Sequence, residues 1–423
     1  MASICFYFQV HQPKRLRKYS YFDIGNNHYY EDDENNRNIL LKIAHKCYIP
    51  TCTLLLMLIK KYPNVFKISF SLSGVFIEQC QRFCPEVLDW FKKLVDTEQV
   101  EILNETYYHS LSFIFSKDEF RRQVVMHRQL IDEIFDYKTT TFRNTELIYN
   151  NELAQVVESM GYNAILAEGA DKILGWKSPN YVYTPEGCDE IKLLLRNYSL
   201  TDDIAFRFSE KNWCEHPICA NKYANWLHSL HGQADLINLF MDFETFGEHH
   251  WKDSGIFNFL HNLPEYILKH PEYDFVTPKE VANRFSAVGS LNVPQFISWA
   301  DLDRDLSAWY GNHLQEDALQ SIYALAKEVY TLQDPFLTDI WRSLLTSDHF
   351  YYMCTKYDAD GDVHKYFSPY SGPYEAYINY QNVVSDFIMV LGERKKQLQS
   401  VTESHGWLID FWKIIGKRLG VIC

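Results

Sequence analysis

Over the first 285 residues, short apolar runs alternate with helical segments, and a polar cluster follows each apolar run. The apolar runs predict seven strands, which are Ser3–Val10, Lys67–Leu72, Val100–Leu103, Thr139–Phe142, Ala164–Ala167, Ile191–Arg196 and Leu236–Asp242. Such alternation, with polar residues at the C-terminal ends of the strands, is typical of a β/α barrel, whose active site lies at that edge. An open doubly wound sheet would give a similar pattern, but its usual glycine-rich phosphate turn is missing from this sequence. A closed or nearly closed barrel is therefore predicted.

The chain beyond residue 285 has a different pattern, because strands cease there and helical periodicity continues. The predicted helices of this C-terminal region are Asp317–Tyr330, Pro335–Asp348, Tyr374–Leu391 and Leu408–Leu419. Near the N-terminus, residues 14–38 are polar and predict a long exposed loop, and residues 39–61 predict a helix. The acidic stretch 358–362 resembles part of a calcium loop, but its glycine comes one position early and the distal glutamate is missing. A tight turn is the favoured interpretation.

Composition narrows the function classes. The net charge of −14 argues against nucleic acid and anionic membranes as partners, because both would repel the chain. Hydrophobic residues make up 47% of the sequence, which excludes the disordered class. Aromatic residues make up 16%, which suits either a large core or a cleft that stacks sugar rings, and the count alone does not choose.

Targeting and cysteine patterns lead to an expected location. The N-terminus lacks the basic start and cleavage site of a signal peptide, and no apolar run approaches the length of a membrane span. The 10 cysteines include no Cys-x-x-Cys pair, and a chain of 423 residues needs no disulfide scaffold. We therefore expect a soluble cytoplasmic protein with free thiols.

The candidate chemistry is densest at the end of the seventh strand. There Asp242, Glu244 and Glu248 precede His249 and His250. Side chains alternate along an extended segment, so Asp242 and Glu244 would share one face, and crowded acidic groups raise one another's pKa. A single carboxylate here would most simply belong to a solvated loop. Three carboxylates and two histidines within nine residues favour a functional site.

Five motifs extend this hypothesis to the whole chain. They are Val10–Pro13, Gly74–Gln79, Phe142–Tyr149, Met241–His249 and Ser298–Asn312, and the stretch Thr346–Tyr352 joins them. With these motifs in this order, the sequence resembles the α-amylase branch of glycoside hydrolase family 57. The resemblance implies an α/β fold, an irregular seven-stranded (β/α)7 TIM-like barrel over residues 1–285. It also implies a C-terminal helical region, 286–423, that contributes to the active-site cleft.

The resemblance further implies a retaining mechanism on α-1,4-glucosidic bonds of starch, glycogen or malto-oligosaccharides. Glu146 would be the nucleophile and Asp242 the general acid/base. A retaining glycosidase needs one ionised carboxylate to attack the anomeric carbon and one protonated carboxyl to assist the leaving oxygen. Arg143 could keep Glu146 charged, and the like charges of Glu244 and Glu248 would raise the pKa of Asp242.

The remaining candidate residues would bind substrate or orient the catalytic pair. The resemblance implies that His11 bonds a sugar hydroxyl and that Glu78 and Glu244 act as further acceptors or as supports. His109 and His249 are equally expected as substrate contacts or as orienting groups. Trp299, Asp301 and Asp303 would reach the cleft from the C-terminal region, and Trp309 suits either core or platform. No metal or cofactor is predicted, and the expected partner is an α-glucan.

Three alternatives stay open at this point. A 4-α-glucanotransferase or branching enzyme of the same family would use the same pair of carboxylates. A metal-dependent deacetylase or mannosidase would bind zinc through Asp and His, but the histidines here lack the expected ligand spacing. A non-catalytic glucan-binding protein would not need both Glu146 and Asp242. The oligomeric state is left without a prediction.

Overall fold

A computed structural model describes the backbone of residues 2–356 and 368–418 and the side chains of residues 2–356 and 368–399. The turn predicted at residues 358–362 lies outside the described residues. The strands are β1 Ala2–Val10, β2 Ile68–Leu72, β3 Val100–Ile102, β4 Thr141–Arg143, β5 Ala164–Glu168, β6 Thr184–Pro185, β7 Lys192–Arg196, β8 Leu236–Asp242, β9 Tyr273–Phe275 and β10 Ser290–Leu291. All seven predicted strands are present.

These seven strands form an irregular parallel barrel, so the predicted fold class is confirmed. One sheet has the order β3-β2-β1-β8, and a second has the order β4-β5-β7. A bridge between Asn104 and Phe142 joins β3 to β4. On the other side, the backbone N–H of Asn197 donates to the carbonyl of Asn238 at 2.9 Å and joins β7 to β8. These sparse links complete the ring.

The apolar run of β8 is explained by burial on both faces, as expected for a covered parallel sheet. Ile237, Leu239 and Met241 pack into the core cluster that includes the helices around β1 and β2. Leu236 and Phe240 pack with residues of the barrel interior. In register, Gln9 of β1 faces Ser71 of β2 and Asp242 of β8, which brings these C-terminal ends to one edge.

Helices cover the barrel and form the C-terminal region. Their bounds are Asp33–Ile43, Ile49–Lys61, Gly74–Phe83, Pro85–Val95, Ser112–Phe115, Lys117–Phe135, Asn151–Ser159, Asp171–Leu174, Tyr198–Ala205, Ala220–Ser229, Ile256–Ile267, Pro278–Arg284, His313–Ala324, Ala326–Leu332, Pro335–Ser343, Ser347–Tyr351 and Pro373–Arg418. A π-helical segment, Ala44–Tyr48, connects the first two.

The exposed loop predicted at residues 14–38 was partly wrong. A helix begins at Asp33, where the Asp32 side chain accepts a hydrogen bond from the backbone N–H of Asn35. Polar residues on the outer face of this helix hide its periodicity, while Leu16 and Tyr19 pack into the core of the C-terminal region. The segment after β1 therefore holds the barrel and the C-terminal helices together.

The helical run Asp33–Lys61 also overturns the expectation that no apolar run approaches a membrane span. By its length and its composition this run passes the test for a helix that could cross a membrane. Core helices pass the same test, and Leu55 and Leu58 of this run are buried in the core.

Three predicted features of the C-terminal region differ from the structure. Strands do not cease at residue 285, because Ser290 and Leu291 of β10 pair with β6, a bridge too short to leave a sequence pattern. The predicted helices 317–330 and 335–348 are each divided into two. The helices predicted at 374–391 and 408–419 are one helix, Pro373–Arg418. Residue 419, the last of the second predicted helix, lies outside the described residues. The domain boundary at residue 285 stays a prediction.

Candidate active site

Glu146 lies just beyond β4 in a short 3₁₀ turn, Thr145–Leu147. Glu146 and Leu147 both have left-handed backbones, with φ of 57° and 51°, which is uncommon for residues with a side chain. Trp299 holds this turn, because its backbone N–H donates to the Glu146 carbonyl at 3.2 Å. Its indole Nε1–H also donates to Glu146 Oε2 at 2.7 Å. The predicted reach of Trp299 into the site is thus present.

Cationic neighbours hold Glu146 ionised. His109 Nε2 lies 3.0 Å from Glu146 Oε1. Burial acts to raise the pKa of Glu146, but the hydrogen bond and charge of His109, the charge of Arg143 and the Trp299 bond together lower it. Arg143 is fully buried, with its guanidinium 4.9 Å from the centre of the Trp299 ring. This carboxylate is suited to nucleophilic attack.

Asp242 ends β8 and has the opposite electrostatics. Burial and then the negative charge of Glu146 raise the pKa of Asp242 to about 7. The sequence predicted that the like charges of Glu244 and Glu248 would raise the pKa of Asp242, and that prediction was wrong about the main causes. Glu248 is neutralised instead, because Lys42 and Lys46 lie 2.7 Å and 3.6 Å from its carboxylate. With a pKa of about 7, Asp242 is about half protonated at neutral pH, and its protonated form is suited to act as a general acid.

Glu244 lies beyond Asp242 and is held by protein donors. The hydroxyl of Tyr48 and, at 3.3 Å, the amide of Gln12 both donate to Glu244 Oε1. Burial and then the charge of Asp242 raise the pKa of Glu244 to about 8. Of its two predicted roles, this geometry favours the support over the open sugar-hydroxyl acceptor.

His11 and His109 stack face to face, with ring centres 4.0 Å apart and planes inclined by 18°. His11 Nδ1 lies 2.6 Å from Ser73 Oγ, and its Nε2 lies 3.0 Å from Asp348 Oδ2. His109 Nδ1 lies 2.8 Å from Glu105 Oε2, so both of its ring nitrogens face carboxylates. Of the two roles predicted for His109, these contacts favour the orienting one, and the role stays a prediction. A sugar contact by His11, which stays a prediction, would replace one of its two partners.

Glu78 and His249 are two further predicted site residues. Glu78 accepts a hydrogen bond from the Tyr107 hydroxyl at 2.6 Å and pairs with Lys14 at 2.8 Å, contacts that do not include the catalytic pair. His249 lies beyond β8, with its backbone N–H bonded to the Glu244 carbonyl at 2.9 Å. Burial, and then the neighbouring His250, lowers the pKa of His249 to about 4, so its imidazole is neutral.

Two acidic residues of the segment that carries Trp299 pair with Lys356. Lys356 Nζ lies 3.3 Å from Asp301 Oδ2 and 2.7 Å from Asp303 Oδ2. The side chain of Asp303 is 64% exposed and that of Asp301 is 10% exposed, so the lysine pairs with one solvent-facing acid and one largely buried acid. Trp309 is buried and stacks on Tyr351 at 5.9 Å, which assigns it to the core.

Sequence reasoning missed several groups that the fold brings to the site. Glu105 and Asp348 contact the two stacked imidazoles, and Arg304 pairs with Glu168 at 3.0 Å, which anchors the Trp299 segment to β5. A signal existed for all four. Glu168 directly follows one predicted strand, and Glu105 comes two residues after another. Arg304 and Asp348 lie within the quoted stretches Ser298–Asn312 and Thr346–Tyr352. Among the described residues, no group of three or more His, Cys, Asp or Glu side chains is arranged to hold a metal ion.

Comparisons with known proteins show the family and the fold to which this chain is similar. The sequence profile of Glycosyl hydrolase family 57 matches residues 5–294. A Methanocaldococcus jannaschii protein, provisionally named an alpha-amylase, is 45% identical over 401 residues, which cover 91% of this chain and 84% of that protein. A solved branching enzyme from Thermococcus kodakaraensis aligns with a TM-score of 0.65 at 13% identity, over 91% of this chain and 89% of that one. The 4-alpha-glucanotransferase from Thermococcus litoralis aligns with a TM-score of 0.61 at 16% identity, over 82% of this chain and 56% of that one.

Proposed function

The chain belongs to glycosyl hydrolase family 57 and is a glycosidase, and from this premise we propose that it is a retaining α-amylase. Its substrates are starch, glycogen or malto-oligosaccharides, and it hydrolyses their α-1,4-glucosidic bonds. The observation that carries the proposal is the opposite electrostatic setting of two carboxyl groups at one barrel edge. The pKa of Glu146 is lowered and that of Asp242 is raised to about 7, as a nucleophile and a proton donor require.

The reaction proceeds in two steps. Glu146 attacks the anomeric carbon while Asp242 transfers its proton to the departing glycosidic oxygen, which leaves a covalent glycosyl-enzyme. Asp242, now ionised, takes a proton from water, and the resulting hydroxide displaces Glu146 from the sugar. Trp299 and His109 support the second step, because their donors stabilise the carboxylate of Glu146 as it leaves.

Direct attack leaves no room for a water molecule between Glu146 and the sugar. We therefore expect the two carboxyl groups to lie about 5–5.5 Å apart in the enzyme with substrate bound, not the roughly 6.5–9.5 Å of an inverting pair. The test follows the first product of an α-linked substrate by NMR before mutarotation. An α product is expected, and a β product would overturn the assignment of Glu146 as nucleophile.

The same pair of carboxylates could serve a 4-α-glucanotransferase or a branching enzyme, if a sugar hydroxyl took the place of water. Chromatography of the products from maltoheptaose distinguishes these reactions. Hydrolysis yields only shorter oligomers, whereas transfer also yields longer ones. Longer oligomers as the main products would replace the α-amylase proposal with a transferase.

We propose that no metal is required for the reaction and that the location is cytoplasmic. Activity on soluble starch should survive dialysis against a chelator, and loss restored by calcium or zinc would contradict the first proposal. The nine described cysteines are all free, which fits a reducing compartment. Cell fractionation with an antibody against the chain tests the location.

A further inference from the structure

We propose that Glu105 is a positioning residue that keeps His109 as an imidazolium cation, so that His109 holds the nucleophile Glu146 ionised. This inference rests on the proposed function, in which Glu146 attacks the sugar. Glu105 is fully buried beyond β3 and faces Nδ1 of His109, whereas Nε2 of the same ring faces Glu146.

The His109 ring must supply two hydrogen-bond donors. His109 Nδ1 lies 2.8 Å from Glu105 Oε2, and Nε2 lies 3.0 Å from Glu146 Oε1. An ionised carboxylate only accepts hydrogen bonds, and a neutral imidazole has only one N–H. Two carboxylate partners therefore require two N–H donors, which only the protonated ring provides.

The neighbouring ring has a different pair of partners. His11 faces Asp348 through Nε2 and the Ser73 hydroxyl through Nδ1, and a hydroxyl can donate a hydrogen bond as well as accept one. His11 is therefore satisfied as a neutral ring. Two cations stacked at 4.0 Å would repel each other, so the pair carries one charge, and that charge resides on His109.

Direction and cause of the pKa shifts agree with this geometry. Burial acts against charge on His109, but its hydrogen bonds to Glu105 and Glu146 raise its pKa to about 9. Burial, together with the charge of His109, lowers the pKa of His11. Burial opposes ionisation of Glu105, yet the bond and charge of His109 and the charge of Arg143 lower its pKa to about 2.

Other groups around His109 and Glu105 come from four parts of the chain. Arg143 of β4 lies 4.0 Å from Glu105 and contributes a second positive charge. Asp242 of β8 has a pKa of about 7, which the charge of His109 acts to lower. Asp348 of the C-terminal region interacts electrostatically with His109 as well as with His11. The Gln9 amide of β1 donates to Glu105 Oε1 at 3.1 Å and fixes that carboxylate.

Replacing Glu105 with glutamine tests the proposal, because the direction in which the acidic limb of kcat/KM moves distinguishes a positioning role from a structural one. If Glu105 maintains the cation, Glu105→Gln discharges His109, the pKa of Glu146 rises, and the acidic limb of kcat/KM moves upward by about one pH unit or more. If the role is only structural, His109 stays charged. Loss of a nearby negative charge would then move that limb downward or not at all, and this outcome overturns the proposal.

A matched control is available on the same side of the barrel. Glu101 of β3 is also buried, but it bonds the Thr141 hydroxyl and the backbone N–H of Lys279 at 2.7 Å instead of the catalytic cluster. Glu101→Gln should leave the position of the acidic limb unchanged. Glu105→Asp keeps the negative charge and should leave the limb nearer to the wild-type position than Glu105→Gln does.

A spectroscopic measurement tests the charge without any substrate. In wild-type protein labelled with ¹⁵N-histidine, the His109 signals, assigned by their loss in His109→Asn, should show a doubly protonated ring at pH 7. In Glu105→Gln the ring should be neutral at that pH. A neutral His109 in the wild-type protein overturns the proposal even if Glu105→Gln does not fold. Because this readout needs no glucan, a failure of the proposed function is separate from a failure of this inference.

Discussion

The ends of strands β4 and β8 each carry a carboxyl group at the same edge of the barrel. The surroundings of these two groups shift their pKa values in opposite directions. At the β4 end, Glu146 receives hydrogen bonds from Trp299 and His109 beside Arg143, and its pKa is lowered. At the β8 end, burial and the charge of Glu146 raise the pKa of Asp242 to about 7. Burial acts in the same direction on both residues.

The difference shows that partner charge decides which carboxyl group ionises. His109 bonds Glu146, and the charges of His109 and Arg143 lower the pKa of Glu146. The same two cations also act to lower the pKa of Asp242, but burial and the negative charge of Glu146 outweigh them there. Neighbouring Glu244 extends the effect, because Asp242 raises its pKa in turn. At the β4 end, cations stabilise the ionised carboxylate of Glu146. At the β8 end, Asp242 holds a proton that it can donate.

The largest expected effect comes from removing residues 286–423. This segment supplies Trp299 to Glu146 and Asp348 to His11, whereas the β8 end receives donors from Tyr48 and Gln12 of the barrel. We expect complete loss of activity on malto-oligosaccharides and increased binding of a hydrophobic dye, because the core around Trp341 is lost. A soluble and fully active fragment ending near residue 285 would contradict the dependence of the β4 end on this region.

Glu146→Gln should reduce kcat on malto-oligosaccharides by several orders of magnitude, because no nucleophile remains at the β4 end. Circular dichroism and the melting temperature should show that the variant folds. In this variant the negative charge that raises the pKa of Asp242 is absent, so an NMR titration should show that the Asp242 pKa falls. An unchanged Asp242 pKa would break the electrostatic link between the two ends.

Asp242→Ala should reduce kcat/KM on malto-oligosaccharides by about 100-fold to 10,000-fold, the usual contribution of general acid catalysis. The loss should be smaller on an aryl α-glycoside, because a good leaving group needs little protonation. The basic limb near pH 7, which we assign to Asp242, should disappear in the variant on that substrate. Equal losses on both substrates would contradict the role of proton donor.

The smallest expected effect is that of Trp299→Phe, which removes one donor from Glu146. A hydrogen bond to a charged group contributes about 1.5–3 kcal/mol, so kcat/KM should fall by about 10-fold to 100-fold and the acidic limb should move upward. Trp341→Phe is the matched control, because its indole N–H donates to the Ile322 carbonyl at 2.9 Å inside the C-terminal core. It should lower stability and leave the pH profile in place.

The seven barrel strands and the edge where the site lies could be predicted from the sequence alone. Strands such as Leu236–Asp242 are buried on both faces, so they appear as apolar runs with polar residues directly after them. Motif order added Glu146, Asp242 and Trp299 as candidates. The two-residue pairing of β6 with β10 left no signal, because a periodicity cannot be recognised in two positions.

The charges that act on each carboxyl group became apparent from the three-dimensional arrangement of the chain. His11 and Asp348 are 337 positions apart, and Trp299 is 153 positions from Glu146, yet each pair is in hydrogen-bond contact. The sequence shows Glu244 and Glu248 beside Asp242, but two lysines neutralise Glu248, and burial with Glu146 controls the Asp242 pKa. Electrostatic interactions depend on distance in space and on burial, and neither quantity can be read from separation along the chain.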